Sequence, residues 1–298
     1  MAERRGDQAA GLRRIFSGER LRVVAFVSGG PGAGKSLIVA NLAACLAQRG
    51  KSVLMIDENA GRQNLAACFG AAARGDLADV IDGGLPMNEA LLRVAPGVQL
   101  LAAAGAVGQL GHLSEAQGRA LLAAFGALDE PPDAVLVDAS PDHPLGFSPL
   151  GLAAQDAVIV VSPAPASITG AYALIKKVSL TYARRNYRVL VNGAPGERQA
   201  RAVFGNIARV AHGRRFARLE YAGAVPFDEH LRRAALLCQP VGALYPDAPA
   251  AAACRALAAE LPEWRSPEAE DDAPGGLEQF ALRLLNLSRL LEPAAIYA

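Results

Sequence analysis

The stretch of sequence that decides the fold is LRVVAFVSGGPGAGKS, residues 21–36, in which an apolar run leads into a glycine-rich loop. The loop matches the pattern Gly-x-x-x-x-Gly-Lys-Ser/Thr without a gap. Its residues are Gly29, Gly30, Pro31, Gly32, Ala33, Gly34, Lys35 and Ser36. In such a loop the backbone N–H groups surround phosphate oxygens, the lysine reaches the outer phosphates, and the serine hydroxyl ligates Mg²⁺. The pattern therefore predicts a phosphate-binding loop between a strand and a helix.

Beyond the loop, short apolar runs alternate with helical patterns to about residue 261. We predict strands over 21–28, 52–57, 98–103, 134–138, 157–161, 187–192 and 219–225. We predict helices over 36–49, 115–127, 167–184, 198–211 and 228–238. Continuous apolar runs are typical of strands that are covered on both faces. The alternation therefore predicts an α/β fold with a doubly wound, mostly parallel sheet.

Two carboxylates stand at the ends of predicted strands. Asp57 closes SVLMID and Asp138 closes AVLVD. The carboxyl ends of parallel strands meet at one edge of the sheet, beside the phosphate loop. With Lys35, both are candidate catalytic residues, and Asp138 with Ser36 is a candidate Mg²⁺ ligand. The alternative is that each aspartate is an ordinary turn residue after a strand.

Composition divides the chain into four regions. Residues 1–20 form a short charged appendage, and 21–261 form the nucleotide-binding domain. Residues 262–276, PEWRSPEAEDDAPGG, are typical of a flexible acidic linker. Residues 277–298 begin with an amphipathic helix predicted over 277–291. This helix has two interpretations, a membrane-surface helix or a helix packed on its own domain. Its basic residues are few for a membrane-surface helix, and both interpretations stay open.

Charge and hydropathy exclude several classes of protein. The chain has 30 Lys and Arg against 29 Asp and Glu, so no global field favours nucleic acid, and we expect no specific nucleic acid partner. The N-terminus lacks the apolar core of a secretion signal. No run reaches the roughly 18 apolar residues of a membrane span. We therefore expect a cytoplasmic protein.

Residues 21–261 resemble the MinD/ParA ATPases. The resemblance is carried by the phosphate loop, by ANLAACLAQRGKSVLMID, by VLVDASPD and by GAVPFDEHLRRAALLCQPV. It implies a P-loop NTPase of the MinD/ParA type that binds ATP or ADP with Mg²⁺ and forms an ATP-dependent homodimer. It also implies an adenine contact for Asn192, at the end of RVLVN. For Asp228 in VPFDEH we favour an N-cap of the following helix over a contact with the base.

Within that family, the N-terminus resembles the flagellar number regulators of the FlhG (FleN) subfamily. Their DQA-x-x-LR motif corresponds here to DQAAGLR, residues 7–13. The resemblance implies a helix that activates a signal-recognition-type GTPase, FlhF-like, through Asp7, Gln8, Ala9, Leu12 and Arg13. It further implies contacts with flagellar ring proteins, a flagellar transcription activator or the inner face of the cell membrane.

Two positions depart from the family pattern. The signature lysine of the loop is replaced by Gly30, and the aspartate two residues after Asp57 is replaced by Asn59. A lost cation weakens the dimer contact across the phosphates, and an amide cannot accept a proton from water. These departures predict slow or absent ATP hydrolysis. A positioning or partitioning ATPase and a non-catalytic nucleotide-binding scaffold are the alternatives to a flagellar regulator.

Overall fold

The computed structural model describes residues 21–61, 64–140, 143, 147–264 and 276–290. Eight strands form one sheet in the order β3-β4-β2-β5-β1-β6-β7-β8. They are Arg22–Ser28 (β1), Val53–Asp57 (β2), Leu92–Ala95 (β3), Val98–Ala102 (β4), Ala134–Asp138 (β5), Asp156–Val161 (β6), Asn186–Ala194 (β7) and Arg218–Pro226 (β8). Neighbouring strands are parallel except β3 and β4.

Helices connect the strands and extend the chain beyond β8. Those described are Lys35–Gln48 (α1), Leu77–Ile81 (α2), Met87–Ala90 (α3), Glu115–Gly126 (α4), Pro149–Ala153 (α5), Pro165–Tyr182 (α6), Glu197–Gly213 (α7), Glu229–Leu236 (α8), Val241–Leu244 (α9), Pro249–Glu260 (α10) and Leu277–Leu290 (α11). Single 3₁₀ turns lie at Ala67–Phe69, Gln109–Gly111 and Leu261–Glu263.

The sheet has an apolar core on each face. Successive side chains of a strand point to opposite faces, so Val23 and Ala25 of β1 enter one core and Val24 and Phe26 enter the other. The first core is closed by α2–α7 and α11, and the second by α1 and α8–α10. This arrangement confirms the doubly wound, mostly parallel α/β fold, and it explains why these strands lack polar alternation.

The sequence did not predict β3 or several of the shorter helices. β3 is a four-residue edge strand whose Arg93 side chain is exposed. It pairs antiparallel with β4 through a turn at Gly97, whose φ is +73°. A strand this short with one solvated face carries little periodicity, so only its pairing with β4 identifies it. Helices α5 and α10, rich in alanine, glycine and proline, likewise lacked a clear amphipathic pattern.

The predicted linker begins too early. Trp264, inside the span 262–276, is 8% exposed and belongs to the second core. The guanidinium of Arg188 lies 4.7 Å from the centroid of its ring, and Arg22 donates a hydrogen bond to the carbonyl of Pro262 at 3.2 Å. Residues 262–264 are therefore part of the domain, because an aromatic ring of this size gains from burial even beside an acidic segment. Residues 265–275 lie outside the described part, as does the predicted appendage 1–20.

Helix α11 packs on the domain. Leu277, Phe280, Ala281 and Leu284 are buried in the first core, against α4 and α5. The hydroxyl of Ser288 accepts a hydrogen bond from the N–H of Leu113 at 3.2 Å. The apolar stripe therefore faces the protein, as the intramolecular interpretation expected. Among the described residues, none of the helices has the length and apolar character that a bilayer crossing requires.

We expect Phe280→Ala to lower the free energy of unfolding by about 3 kcal/mol. Phe280 is 3% exposed and its ring meets that of Phe125 edge to face, with centroids 6.1 Å apart. Leu282→Ala is the matched control, because Leu282 lies on the same helix and is 44% exposed. It should cost less than about 0.5 kcal/mol. Urea unfolding measures both, and equal losses would contradict the packing of α11.

Candidate functional site

A cleft of about 1710 Å³ opens where β1, β2 and β5 end. Its walls are the loop after β1, the residues that follow β2 and β5, and one side of α8. Ligand sites in proteins typically measure about 300–1,000 Å³, so this cleft has room for a nucleotide. The parallel sheet accounts for its location, since loops at the carboxyl ends of the strands converge at a crevice there.

The predicted phosphate loop forms one wall of the cleft and leads into α1. Gly32 and Gly34 have φ values of +81° and +78°, which residues with a side chain rarely adopt. The hydroxyl of Ser28 donates to the carbonyl of Gly30 at 2.8 Å and fixes the start of the turn. Pro31 and Gly32 are exposed at its tip. The glycines are thus required by the backbone path of the loop.

Gly29 sits at a close approach between the loop and α6. A Cβ at Gly29 would clash with the backbone of Gly170 and Ala171, and a Cβ at Gly170 would clash with Gly29. The two glycines let the end of β1 touch the first turns of α6. The position of the loop therefore depends on the SITG segment of α6, a contact that the loop motif does not reveal.

Asn192, at the end of β7, lies against the loop. Its amide donates to the carbonyl of Ala33 at 2.8 Å. A Cβ on Gly34 would clash with the same amide nitrogen. The structure thus brings Asn192 beside the loop, and its contact with an adenine base stays a prediction.

Lys35 and Asp138 form a buried ion pair beneath the loop. Lys35 is 6% exposed, Asp138 has no exposed surface, and Lys35 Nζ contacts Asp138 Oδ1. Removing one member of such a pair leaves an uncompensated buried charge, at a cost of about 3–5 kcal/mol. The structure therefore joins two predicted site residues, and Ser36, next to Lys35, lines the cleft.

Asn59 joins the two strand-end aspartates. Its amide nitrogen lies 2.9 Å from Asp57 Oδ1, 3.0 Å from Asp138 Oδ2 and 3.1 Å from the carbonyl oxygen of Asp138. Asp57 also accepts from the N–H of Leu65 at 2.7 Å. Burial raises the pKa of Asp57, and the nearby Asp138 carboxylate raises it further. The Asn59 amide thus donates to both carboxylates, whereas an aspartate at this position would be repelled by them.

Glu58 is a site residue that the sequence analysis missed. It is 3% exposed and lines the cleft between Asp57 and Asn59. Its Oε2 accepts from the N–H of Ser140 at 2.9 Å, and its Oε1 accepts from the hydroxyl of Ser148. Burial raises its pKa to about 7, although both hydrogen bonds act in the opposite direction. A glutamate that follows a strand has no distinctive signal in the sequence.

Asp228 caps α8, as the sequence indicated. Its Oδ1 accepts from the N–H of His230 at 2.8 Å, and its Oδ2 accepts from the N–H of Ala250 at 2.9 Å. These bonds hold the pKa of the carboxyl below its ordinary value despite the opposing effect of burial. Both oxygens serve the backbone, which joins the start of α8 to α10.

Helix α8 adds charged residues to the cleft that no motif predicted. Glu229, Arg232, Arg233 and Leu236 recur at three- and four-residue spacing, and all four line the cleft. Arg232 pairs with Glu229 at 3.1 Å. Arg232 and Arg233 on this face of α8 bring positive charge to the cleft.

The five predicted partner-contact residues, Asp7, Gln8, Ala9, Leu12 and Arg13, lie outside the described part of the chain.

Ser36 and Asp138 offer oxygen atoms, the ligand type that Mg²⁺ prefers. The residues present thus fit that ion. Both carboxylate oxygens of Asp138 already accept from Lys35 and Asn59. A cation would reach Asp138 through a water or after one donor has moved. In the described part of the chain, no group of three or more His, Cys, Asp or Glu side chains is arranged to hold a metal.

A family model described as the CobQ/CobB/MinD/ParA nucleotide binding domain matches residues 24–241. The chain is 32% identical over 276 residues to the Antiactivator FleN of Pseudomonas aeruginosa, covering 92% of this chain and 97% of that protein. It is 29% identical over 223 residues to the Flagellum site-determining protein YlxH of Helicobacter pylori, covering 71% of this chain and 72% of that protein.

Solved structures share the fold. A chain of the MinC:MinD cell division protein complex of Aquifex aeolicus is similar with a TM-score of 0.64 at 25% identity, covering 84% of this chain and 99% of that one. The septum site-determining protein MinD of Pyrococcus horikoshii, complexed with Mg-ADP, is similar with a TM-score of 0.60 at 20% identity, covering 81% of this chain and 96% of that one.

We expect Lys35→Ala to lose at least about tenfold in affinity for Mg-ADP, or roughly 1.4 kcal/mol, because a charge-assisted phosphate contact disappears. Its free energy of unfolding should also fall, since Asp138 loses its cation. Calorimetry and urea unfolding measure the two effects. Lys176→Ala, at an exposed position of α6, is the control. Equal affinity of Lys35→Ala and the unmodified protein, both folded, would contradict the role of the loop.

Proposed function

Because the chain belongs to the CobQ/CobB/MinD/ParA nucleotide-binding family, and within it to the FlhG (FleN) subfamily, we propose that it is a MinD-like regulator of flagellar number or placement. The observation that carries this proposal is the similarity to FleN over 92% of the chain, together with the intact phosphate loop. The chain would act as a nucleotide-dependent switch that contacts other proteins of flagellar assembly.

The nucleotide of this switch is ATP or ADP. Residues 29–36 would surround the phosphates with backbone N–H groups, and Lys35 would exchange its contact with Asp138 for phosphate oxygens. Asn192, whose amide supports the loop at Ala33, would contact the base. Mg²⁺, held by Ser36 and Asp138, would neutralise phosphate charge when bound.

Hydrolysis by this site is slow or absent. A general base must accept a proton, but the Asn59 amide cannot, and its N–H groups donate hydrogen bonds to Asp57 and Asp138. Gly30 leaves the loop without the cation that the family uses across its dimer. The chain is therefore better suited to hold a nucleotide than to turn it over. Slow hydrolysis argues against an efficient positioning ATPase. A non-catalytic scaffold would differ from the proposed switch only in its response to nucleotide.

Partner recognition is assigned to the N-terminus. Residues 7–13 would activate an FlhF-like GTPase, with Gln8 beside a hydrolytic water and Ala9 and Leu12 on the docking face. Flagellar ring proteins or a transcription activator would use other surfaces. An ATP-dependent homodimer and a peripheral membrane contact, both features of the family resemblance, belong to the same proposal.

We expect the double variant Gly30→Lys/Asn59→Asp to raise ATP hydrolysis or ATP-dependent dimerisation. Gly30 lacks a positive φ, and a Cβ there would meet nothing within 4 Å, so the loop accommodates lysine. Gly108→Lys is a matched control, since it adds the same charge elsewhere in the cleft at another open position. Steady-state phosphate release and light scattering measure the effect. A folded double variant in which neither quantity moves would show that these substitutions do not set the activity.

We expect a peptide of residues 1–20 to stimulate GTP turnover by the FlhF-like GTPase. Gln8→Ala should remove most of the stimulation, and Leu12→Ala should raise the peptide concentration that is needed. Arg14→Ala, outside the motif, is the control and should act like the unmodified peptide. Absence of stimulation by both the peptide and the full chain would leave a nucleotide-binding protein without this partner.

A further inference from the structure

Glu58 is a buried carboxyl group that the proposed binding of phosphate does not use. It lines the cleft with Ser140, and each residue lies just beyond a strand-end aspartate. The backbone N–H of Glu58 donates to the carbonyl of Asp138 at 3.2 Å. The carboxylate thus bridges the chain after β2 and the chain after β5, at the level of the buried ion pair.

The contacts of Glu58 occupy groups that an anion would otherwise bind. The N–H of Ser140 donates to Glu58 Oε2 at 2.9 Å. The hydroxyl of Ser148 donates to Oε1 and also caps α5 by accepting from the N–H of Gly151 at 3.0 Å. Backbone N–H and hydroxyl groups at the ends of strands and helices are the usual donors to phosphate. Here a side chain of the protein holds them.

The opposite end of α5 is fixed as well. The guanidinium of Arg184, which is 8% exposed, donates to the carbonyls of Ala154 at 3.0 Å and Gln155 at 2.9 Å. Helix α11 packs against α5. Because α5 is held at both ends, the Ser148 hydroxyl stays where Glu58 accepts from it. The bridge is therefore a preorganised part of the cleft wall.

The strand order indicates which phosphate would meet this bridge. The order β2-β5-β1-β6-β7 puts Asn192 on one side of the phosphate loop and Glu58 and Ser140 on the other. A nucleotide with its base beside Asn192 and its phosphates in the loop would extend its last phosphate toward Glu58. A diphosphate would end sooner and remain closer to the loop and Lys35.

We propose that Glu58 is a specificity-determining residue that biases the cleft toward the nucleoside diphosphate, by retaining the N–H of Ser140 and by placing a carboxyl group where a third phosphate would lie. The inference rests on the proposed nucleotide binding and on the base lying at Asn192. The hydrogen bond from Ser140 acts in either charge state of Glu58, and an ionised carboxylate adds repulsion. Only the affinity for the triphosphate is lowered, because only its last phosphate reaches this wall.

The test is the ratio of two dissociation constants, for Mg-ADP and for a Mg-ATP analogue with a non-hydrolysable β–γ bridge. Both are measured by calorimetry on the full chain at one pH. Glu58→Ala should raise the relative affinity for the triphosphate at least about fivefold, because it frees a donor and removes a carboxylate. Glu58→Gln, which keeps the shape and one acceptor oxygen, should give a smaller shift and remains informative if the alanine variant does not fold.

Glu115→Gln is the matched control. Glu115 lies at the start of α4, outside the cleft, is 87% exposed and pairs with Arg119 at 3.6 Å. Its ratio should match that of the unmodified protein. An unchanged ratio in folded Glu58 variants, or equal changes in both affinities, would overturn the inference while leaving nucleotide binding intact. Failure of the unmodified protein to bind either nucleotide would overturn the proposed function, and this inference with it.

Discussion

The carboxylate of Asp138 is completely buried, so folding has to supply a cation and hydrogen-bond donors inside the protein. Lys35 and Asn59 provide them, and they come from two other strand ends. This is possible because β5 lies between β1 and β2, with Phe26 of β1 and Asp57 of β2 both in register with Asp138. The order of the central strands therefore determines the chemistry of the cleft. Another order would leave the buried charge of Asp138 unpaired.

The same constraint explains how distant parts of the chain reach the cleft. Gly29 touches Gly170 at the start of α6, and the amide of Asn192 supports Ala33 from the end of β7. Both contacts depend on glycine, because a Cβ at Gly29, Gly170 or Gly34 would clash with the group that approaches it. The loop is thereby held by elements more than 130 residues further along the chain. A rigid loop of this kind presents its N–H groups before any ligand arrives, which lowers the cost of binding.

The cleft differs in charge from the MinD/ParA pattern at two positions. Relative to the MinD/ParA pattern, Gly30 removes a cation and Asn59 replaces a carboxylate with an amide. Within the cleft, Glu58 contributes a carboxyl group, and Arg232 and Arg233 contribute positive charge from α8. Asn59 donates hydrogen bonds to both buried carboxylates, whereas an aspartate at this position would be repelled by them.

From the sequence alone, the phosphate loop, the strands with continuous apolar runs and the aspartates at their ends could be predicted, because each is a local pattern tied to a backbone requirement. The cap at Asp228 and the amphipathic character of α11 could also be predicted, because each is a local pattern. Only the tertiary structure decided that Lys35 pairs with Asp138, that Trp264 belongs to the core, and that α11 packs on α4 and α5. It also revealed that Glu58 accepts hydrogen bonds from Ser140 and Ser148, which lie 82 and 90 residues further along the chain. Contacts between residues so far apart are set by strand order and packing, and no local periodicity records them.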